Sequence, residues 1–452
     1  MERASTTQLA AYAASWSAAR LTPAIIERAS EIMLDTLGAI LLGAGPEYGA
    51  VRRLADLARE CGGPPRCTAI AQQLRTDLLS ATLINGTAGY AADVEGAGIG
   101  RQHAAAVLVP TVLTVGEYVQ ASGRQVIAAL ALAYDLAARI DDAAATAHSY
   151  PHSFHPSAVF GHFGAAVAAG ALLGLDADGF ERALGLAGLN AGGLIVWIND
   201  PSEDSRPFVI GVAAQSGVRA ALLAARGYGG PLGIVDAGKY DIYDAFSGEH
   251  HPERLTAGLG TDFRILSAGG YKRYPCCGDI HTGLDALLAI LARHDLPPER
   301  IARITHAVHP ERFNVIDNNP LRSHCAQYIM AVAAVERGIT PDVILVDRRQ
   351  TDPRVAAMAA RTTLVADEAF RAGAAGQGAW VEVETTDGAV YREEVSHFRG
   401  TLRNPLTPAE IRAKFFDFAG RRLGAGRAEA VAGLVDRLET LPDIGALMAA
   451  LA

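Results

Sequence analysis

The chain has 452 residues, of which 50% are hydrophobic and 20% charged, and its formal net charge is −9 at pH 7. This composition indicates a folded protein with a sizeable core and excludes a disordered or collagen-like chain. Binding of nucleic acid or of an anionic membrane depends on a basic surface, so the negative charge argues against both partners. The many alanines among the hydrophobic residues favour closely packed helices.

No stretch reaches the roughly 18 uninterrupted apolar residues of a membrane-spanning helix, and the N-terminus lacks the pattern of a secretory signal. We therefore expect a cytoplasmic protein. The five cysteines form none of the paired spacings of a zinc site, and two of them are adjacent, which does not suit an iron-sulfur cluster. We therefore expect no metal site.

Helical periodicity dominates the chain up to about residue 265. Thr22 followed by Pro23 is typical of a helix start, and apolar residues at helical spacing continue this helix toward Gly43. Six further helices are predicted over residues 75–90, 107–119, 124–143, 157–173, 177–186 and 207–226.

The pattern changes at about residue 270. A helix over residues 281–294 is followed by a β-rich run at 301–308, and Asp387-Gly388 separates two alternating runs at 380–384 and 390–395, as in a hairpin. Thr407-Pro408 begins another helix, and the chain stays helical to its end. The sequence therefore predicts a mainly α fold, with an all-helical domain over residues 1–266, an α+β domain over residues 267–399, and a helical tail over residues 400–452 that could rejoin the first domain.

Glycines at 96, 98 and 100 form a turn-rich segment that has some likeness to a phosphate-binding loop. The position of the third glycine of a dinucleotide site is Arg101, and no clear strand precedes the segment, so a flexible loop is the better interpretation. Asp93, Glu95 and His103 lie around this loop. They predict either a place that holds a polar substrate or a solvated connector.

Three other segments combine residues that can carry chemistry. Pro156 disfavours a helical backbone at His155, so the spacing of a helical metal site is absent and an acid or base role fits better. Lys272 lies in a segment rich in cations, and a lysine can act as a base when burial lowers its pKa. His324 and Tyr328 are four residues apart and could share one helix face. Each of these residues could instead be structural.

The order and spacing of these motifs resemble the MmgE/PrpD family, which includes 2-methylcitrate dehydratase, cis-aconitate decarboxylase and iminodisuccinate epimerase. The resemblance spans nearly the whole chain. It rests on Asp35-Thr36-Leu37-Gly38, Asn85-Gly86-Thr87-Ala88, His155-Pro156-Ser157, Gly161-His162-Phe163-Gly164, Lys272-Arg273-Tyr274-Pro275-Cys276-Cys277, His324-Cys325-Ala326-Gln327-Tyr328 and Asn404-Pro405-Leu406-Thr407.

The resemblance implies that the α+β domain is a lid over a cleft, that the protein is a homodimer, and that it acts on a small di- or tricarboxylic acid without a cofactor. It also implies residue roles. The implied catalytic residues are Asp93, His103, His155, Lys272 and Tyr328, and the implied substrate-binding residues are Arg101, Arg206, Arg273, His281 and His324. His103 or His155 would take a proton from the carbon next to a carboxylate, and Lys272 and Arg206 would stabilise the resulting charge.

Three departures from the family pattern bear on the activity. The segment from Asp93 to Ala97 lacks the family's hydroxyl-bearing residue, Arg206 replaces a common lysine, and Cys277 stands where decarboxylase-like members carry histidine. These changes make cis-aconitate decarboxylation the least expected activity. We expect a lyase similar to 2-methylcitrate dehydratase. An epimerase of an imino- or hydroxy-dicarboxylate is the first alternative, and a non-catalytic binding protein, in which the site residues would not converge, is the second.

Overall fold

The computed structural model describes residues 4–100, 102–144, 153–246, 250–372 and 378–452. The fold is mainly helical with small sheets, and this prediction is confirmed. The first part of the chain contains α1 (Ala4–Ser15), α2 (Pro23–Gly43), α3 (Gly49–Cys61), β1 (Cys67–Ala69), β2 (Leu74–Thr76), α4 (Leu78–Ala91), α5 (Ala104–Val119), α6 (Gly123–Ala143), α7 (Pro156–Leu173), α8 (Ala177–Gly188), α9 (Ser205–Ala224), α10 (Ile242–Phe246) and α11 (Glu253–Thr256).

Local capping explains where two of these helices begin. The Thr22 hydroxyl accepts the backbone N–H of Ile25 at 3.3 Å, so α2 starts at the predicted residue. The predicted start of α4 is wrong. Residues 74–76 pair with 67–69 as an antiparallel hairpin, and the Asp77 side chain caps α4 by accepting the N–H groups of Leu79 and Ser80.

The centre of the helical part is the packing of α7 against α9. A Cβ atom on Gly217 would lie 2.5 Å from the backbone oxygen of His162, so glycine permits the two helices to approach closely. By length and composition both helices could also cross a membrane, but 83% of α7 and 61% of the most apolar part of α9 are buried inside the protein. Such burial is typical of core helices in a globular fold.

The second part of the chain carries a four-stranded sheet. Its elements are α12 (Gly278–Arg293), β3 (Ile301–Val308), α13 (Pro310–Ile316), α14 (Ala326–Glu336), α15 (Arg348–Thr351), α16 (Pro353–Ala360), β4 (Thr362–Ala366), β5 (Ala379–Thr385) and β6 (Val390–Val395). The strand order is β4-β3-β5-β6, with β3 and β4 parallel and the other pairs antiparallel. The predicted hairpin is present between β5 and β6, where Gly388 has the positive φ of +84°.

The end of the chain returns to its beginning. It forms α17 (Pro408–Leu423), α18 (Ala425–Asp436) and α19 (Gly445–Leu451), and α17 packs against α2. Lys414 on α17 donates to Asp35 on α2 at 2.6 Å and to the backbone oxygen of Val94 at 2.7 Å. Helix α17 thereby anchors the loop that follows α4. The exact boundaries of the two predicted domains stay a prediction.

Three chain segments, around residues 97, 270 and 400, cross beside this loop and are joined by backbone hydrogen bonds. Ala97 donates its N–H to the backbone oxygen of Gly270 at 2.6 Å, and Tyr271 donates to the oxygen of Gly400 at 2.7 Å. The part of the loop from Asp93 to Ala97 is therefore buried and packed, and the interpretation of that part as a solvated connector is wrong. A Cβ atom on Gly270 would lie 1.6 Å from the oxygen of Gly400, so the crossing requires glycine there.

Replacement of Gly270 by alanine tests this crossing. Because the new methyl group would overlap the Gly400 backbone, we expect Gly270→Ala to lower the free energy of unfolding by about 3 kcal/mol, measured by urea denaturation. Gly433→Ala is the matched control, since Gly433 lies on α18 with open space around it. The control should raise stability by about 0.8 kcal/mol. Equal stability of the two variants would contradict the account of the crossing.

Candidate active site

A buried lysine joins two carboxylates in the loop after α4. The Lys272 ammonium donates to Oδ1 of Asp93 and, at 3.2 Å, to Oε1 of Glu95. Asp93 and Glu95 are each 1% exposed, and Lys272 is 8% exposed. Asp93 adopts a left-handed backbone with φ of +54°, a conformation that directs its side chain toward Lys272 at some cost in strain.

The pKa values in this cluster follow from competition between burial and ion pairing. Burial alone would raise the pKa of Asp93 and of Glu95. The Lys272 ammonium, together with Arg206 near Asp93 and His103 near Glu95, outweighs burial, so both pKa values lie below their usual range. Burial alone would lower the pKa of Lys272, but the two carboxylates raise it above its usual value. The condition for a lysine base, a lowered pKa, is not met.

Arg206 is also part of this cluster, and it has no exposed surface. Its guanidinium donates to the backbone oxygens of Tyr90 at 3.1 Å and Ala91 at 3.2 Å, and its Nε lies 3.4 Å from Glu203. It also lies 3.6 Å from Asp93. In the described part of the chain, the hydrogen bonds of Arg206 all go to protein groups, and its predicted role as a clamp for a substrate carboxylate stays a prediction. Arg206 anchors the end of α4 and offsets the charge of Asp93.

His103 is oriented by Glu95. Its Nδ1 lies 2.6 Å from Oε1 of Glu95, and its Nε2 lies 3.0 Å from the hydroxyl of Tyr90. A carboxylate can only accept, so the proton between them lies on Nδ1. The side chain of His103 is 25% exposed, so the imidazole is held by the buried cluster and is still accessible.

Two further histidines continue the site beyond His103. The rings of His103 and His155 are nearly parallel, with centroids 5.9 Å apart. Trp197 packs in a T-shaped arrangement against two histidines, with its ring centroid 5.4 Å from that of His155 and 5.5 Å from that of His324. Burial lowers the pKa of His155 well below 6.5 and that of His324 to about 3. Both side chains are therefore neutral imidazoles at neutral pH, and neutral imidazole is a base.

Several helices begin at this cluster. The N-terminal ends that carry or adjoin its residues are those of α5 at His103, α7 at His155, α9 at Arg206, α12 at Cys277 and α14 at Cys325. Helix N-termini carry partial positive charge and unpaired N–H groups, which attract anions. The site can thus attract a carboxylate although Lys272 and Arg206 are paired with protein groups.

Tyr328 does not reach this cluster. Its hydroxyl oxygen lies 2.7 Å from the backbone oxygen of Val343 and 2.8 Å from that of Val346, and its one proton is available to these two acceptors. Cys325 has extended backbone angles and caps α14, so His324 precedes the helix that contains Tyr328. The expectation that both residues share a helix face fails for this reason, and the catalytic role predicted for Tyr328 stays a prediction.

Two further predicted substrate-binding residues have protein partners of their own. Arg273 is exposed and lies 3.8 Å from Asp285 on α12. His281 is buried on α12, with its Nε2 3.3 Å from the backbone oxygen of Cys276 and its ring against Phe398. Their contacts with a substrate stay a prediction. Arg101 lies outside the described residues.

The structure adds residues that were absent from the predicted set. Glu95 was visible as a second acid in the loop that carries Asp93 and His103, and its spacing from them was the available signal. Tyr90 and Trp197 had no such signal, because a single sequence does not show which aromatic residues line a cleft. In the described ranges, no group of three or more His, Cys, Asp or Glu side chains is arranged to hold a metal ion.

Two known protein-family domains match successive parts of this sequence. The MmgE/PrpD N-terminal domain matches residues 7–255, and the MmgE/PrpD C-terminal domain matches residues 274–440. The chain therefore belongs to the MmgE/PrpD family, as the motifs predicted.

Curated relatives of the chain are cis-aconitate decarboxylases. Those of Mus musculus and Homo sapiens are each 25% identical to it over 94% of the chain and 89% and 90% of their own lengths. A third, from Aspergillus terreus, is 25% identical over 94% of the chain and 91% of its own length. An enzyme family and the general lyase class are thus supported. These relatives are named as cis-aconitate decarboxylases, the activity that the sequence analysis expects least.

Removal of Lys272 tests the electrostatic account. Lys272→Met would leave two buried carboxylates without their shared cation, so we expect a loss of about 3–5 kcal/mol of unfolding free energy at pH 7. Adding Glu95→Gln removes one of the unpaired charges and should recover part of this loss. Urea denaturation measures both effects.

Lys239→Met is the matched control, since Lys239 is exposed. Its unfolding free energy should stay within about 0.5 kcal/mol of the parent protein. The account fails if Lys272→Met is as stable as this control, or if Glu95→Gln destabilises the Lys272→Met protein further.

Proposed function

We propose that the protein is a cofactor-independent lyase that moves a proton at the carbon next to a carboxylate of a small di- or tricarboxylic acid. One observation carries this proposal. His103, which is oriented by a buried carboxylate, lies beside the neutral imidazole of His155, so an acid and a base are available within one cleft. His103, His155 and Lys272 converge, which is the opposite of what a non-catalytic member would show.

The first candidate reaction is dehydration of a hydroxy acid similar to 2-methylcitrate. His155 takes the proton from the carbon next to a carboxylate, and the electrons of that C–H bond form the new double bond. Protonated His103, whose charge Glu95 stabilises, gives its proton to the leaving hydroxyl, so that water departs. The helix N-termini stabilise the charge that develops on the carboxylate. This reaction uses both histidines.

The second candidate is decarboxylation, which the similarity to cis-aconitate decarboxylases over 94% of the chain favours. Loss of carbon dioxide leaves the electrons of the broken C–C bond on the carbon skeleton, which then takes one proton. His103 could supply that proton. Cys277 could not readily replace it, because burial and Asp93 raise the pKa of this thiol to about 12.

Proton NMR in D2O distinguishes the reactions. The purified protein is incubated separately with 2-methylcitrate, citrate, cis-aconitate and iminodisuccinate. A vinyl product from a hydroxy acid supports dehydration, and a product of cis-aconitate that has lost one carboxylate supports decarboxylation. Deuterium uptake without a new skeleton would replace both with epimerisation. No change in any of the four acids would contradict the proposal.

The two histidines should each be needed for turnover. We expect His103→Gln and His155→Gln to lower kcat by about 10²- to 10⁴-fold, because each removes one proton-transfer group. The thermal unfolding midpoint should change little. His397→Gln is the control, since His397 lies after β6 and contacts Arg403. Parent-like kcat in both His103→Gln and His155→Gln would remove these residues from the mechanism.

The pH dependence of kcat/KM tests the role of His155 as a base. The neutral form is the active one, and the pKa of His155 is lowered, so protonation inactivates it only well below pH 6.5. We therefore expect kcat/KM to stay constant as the pH falls through 6.5 and to decline at lower pH. Steady-state rates in buffers of constant ionic strength measure this profile. A decline centred at or above pH 6.5 would contradict the assignment.

A further inference from the structure

The buried Ser323 links His324 to Glu203, a carboxylate that also contacts Arg206. Glu203 accepts the backbone N–H of Ser323 at 2.9 Å and the Ser323 hydroxyl at 2.8 Å. The same hydroxyl oxygen lies 2.8 Å from Nδ1 of His324. Glu203 has a left-handed backbone with φ of +64°, which residues other than glycine rarely adopt, so its position is held against strain.

The number of available protons determines which atom donates and which accepts in each of these hydrogen bonds. The Ser323 hydroxyl has one proton, and the Glu203 carboxylate has none to donate, so that proton lies between Ser323 and Glu203. The serine oxygen must then accept from His324, which places a proton on Nδ1. Asp93 favours the same arrangement, because its Oδ2 lies 4.0 Å from this nitrogen.

The other nitrogen of His324 is then a hydrogen-bond acceptor. Burial keeps this imidazole neutral, and a neutral imidazole with a proton on Nδ1 has a lone pair on Nε2. Nε2 makes no hydrogen bond with the described residues, and the ring packs beside Trp197, which also contacts His155. His324 thereby adds an acceptor to the site, next to the neutral imidazole of His155.

We infer that Glu203 and Ser323 are positioning residues that hold His324 as the Nδ1–H tautomer, so that its Nε2 accepts a hydrogen bond from a substrate hydroxyl. The second half of this inference rests on the proposed function, because it names the substrate class as a hydroxy-polycarboxylic acid. A carboxylate has no proton to offer to Nε2, whereas a hydroxyl does. A site with this acceptor therefore distinguishes a hydroxy acid from an analogue that lacks the hydroxyl.

The tautomer can be measured without any substrate. Long-range proton–nitrogen NMR of the full-length protein with ¹⁵N-labelled histidine reports which nitrogen carries the proton, and the signal missing in His324→Gln assigns His324. We expect Nδ1–H in the parent protein. Ser323→Ala removes the acceptor, and Glu203→Gln supplies an amide that can donate to the serine, so both should shift His324 toward the Nε2–H form.

Ser205→Ala is the matched control. Its hydroxyl also donates to a carboxylate in the same loop, that of Asp200 at 2.5 Å, but it does not contact His324. This variant should leave the His324 signal unchanged. An Nε2–H tautomer in the parent protein, or one that neither Ser323→Ala nor Glu203→Gln alters, would overturn the positioning role.

Binding of two matched acids tests the acceptor role. Citrate and propane-1,2,3-tricarboxylate differ only in the hydroxyl, and calorimetry gives the ratio of their affinities. We expect the preference for citrate to fall about tenfold in Ser323→Ala, the loss of one hydrogen bond. An unchanged preference would overturn the role. If neither acid binds the parent protein, the acceptor role falls with the proposed function, while the NMR spectrum still decides the tautomer.

Discussion

The shared ion pair of Lys272 with Asp93 and Glu95 is the interaction on which the site depends. Three charged groups lie out of water, and the ammonium between the two carboxylates keeps both ionised. Glu95 can orient His103 only while it is a carboxylate. The same pairing explains why Lys272 is not a free base, and it links the segment after residue 269 to the loop after α4. One buried cation thus serves both the fold and the chemistry.

The charges of this cluster are already paired with one another, so the acidic substrate that we propose would need other partners, and backbone groups are available for that role. Arg206 and Lys272 are committed to protein carboxylates and carbonyl groups, so neither is a free partner for a substrate. The N-terminal ends of the helices that meet at the site provide partial positive charge instead. Because these charges are fixed by the backbone, they need no reorganisation when negative charge develops on the substrate.

The sequence predicted most of the fold because its signals were local. Capping at Thr22 and Thr407, alternation in residues 301–308 and the turn at Asp387-Gly388 all recur in the structure. The hairpin at residues 67–76 was missed because its strands have three residues each, too short for a periodic pattern.

The site was predicted less completely than the fold. Asp93, His103, His155 and Lys272 converge as expected, since their motifs are carried by the family resemblance. The protein partners of Arg206 and Tyr328 were not predicted, because a sequence shows which groups a residue has and not which partners use them. Glu203 and Ser323 are 120 residues apart, so no spacing rule could have paired them.

The most direct measurement is the rate of solvent deuterium uptake at the carbon next to the carboxylate of 2-methylcitrate, compared between the parent protein and Glu95→Gln. The account predicts that Glu95→Gln slows uptake in proportion to turnover, while binding of the acid changes little, because the amide no longer stabilises protonated His103. Uptake and turnover equal to those of the parent protein would contradict the claim that the buried carboxylate organises proton transfer.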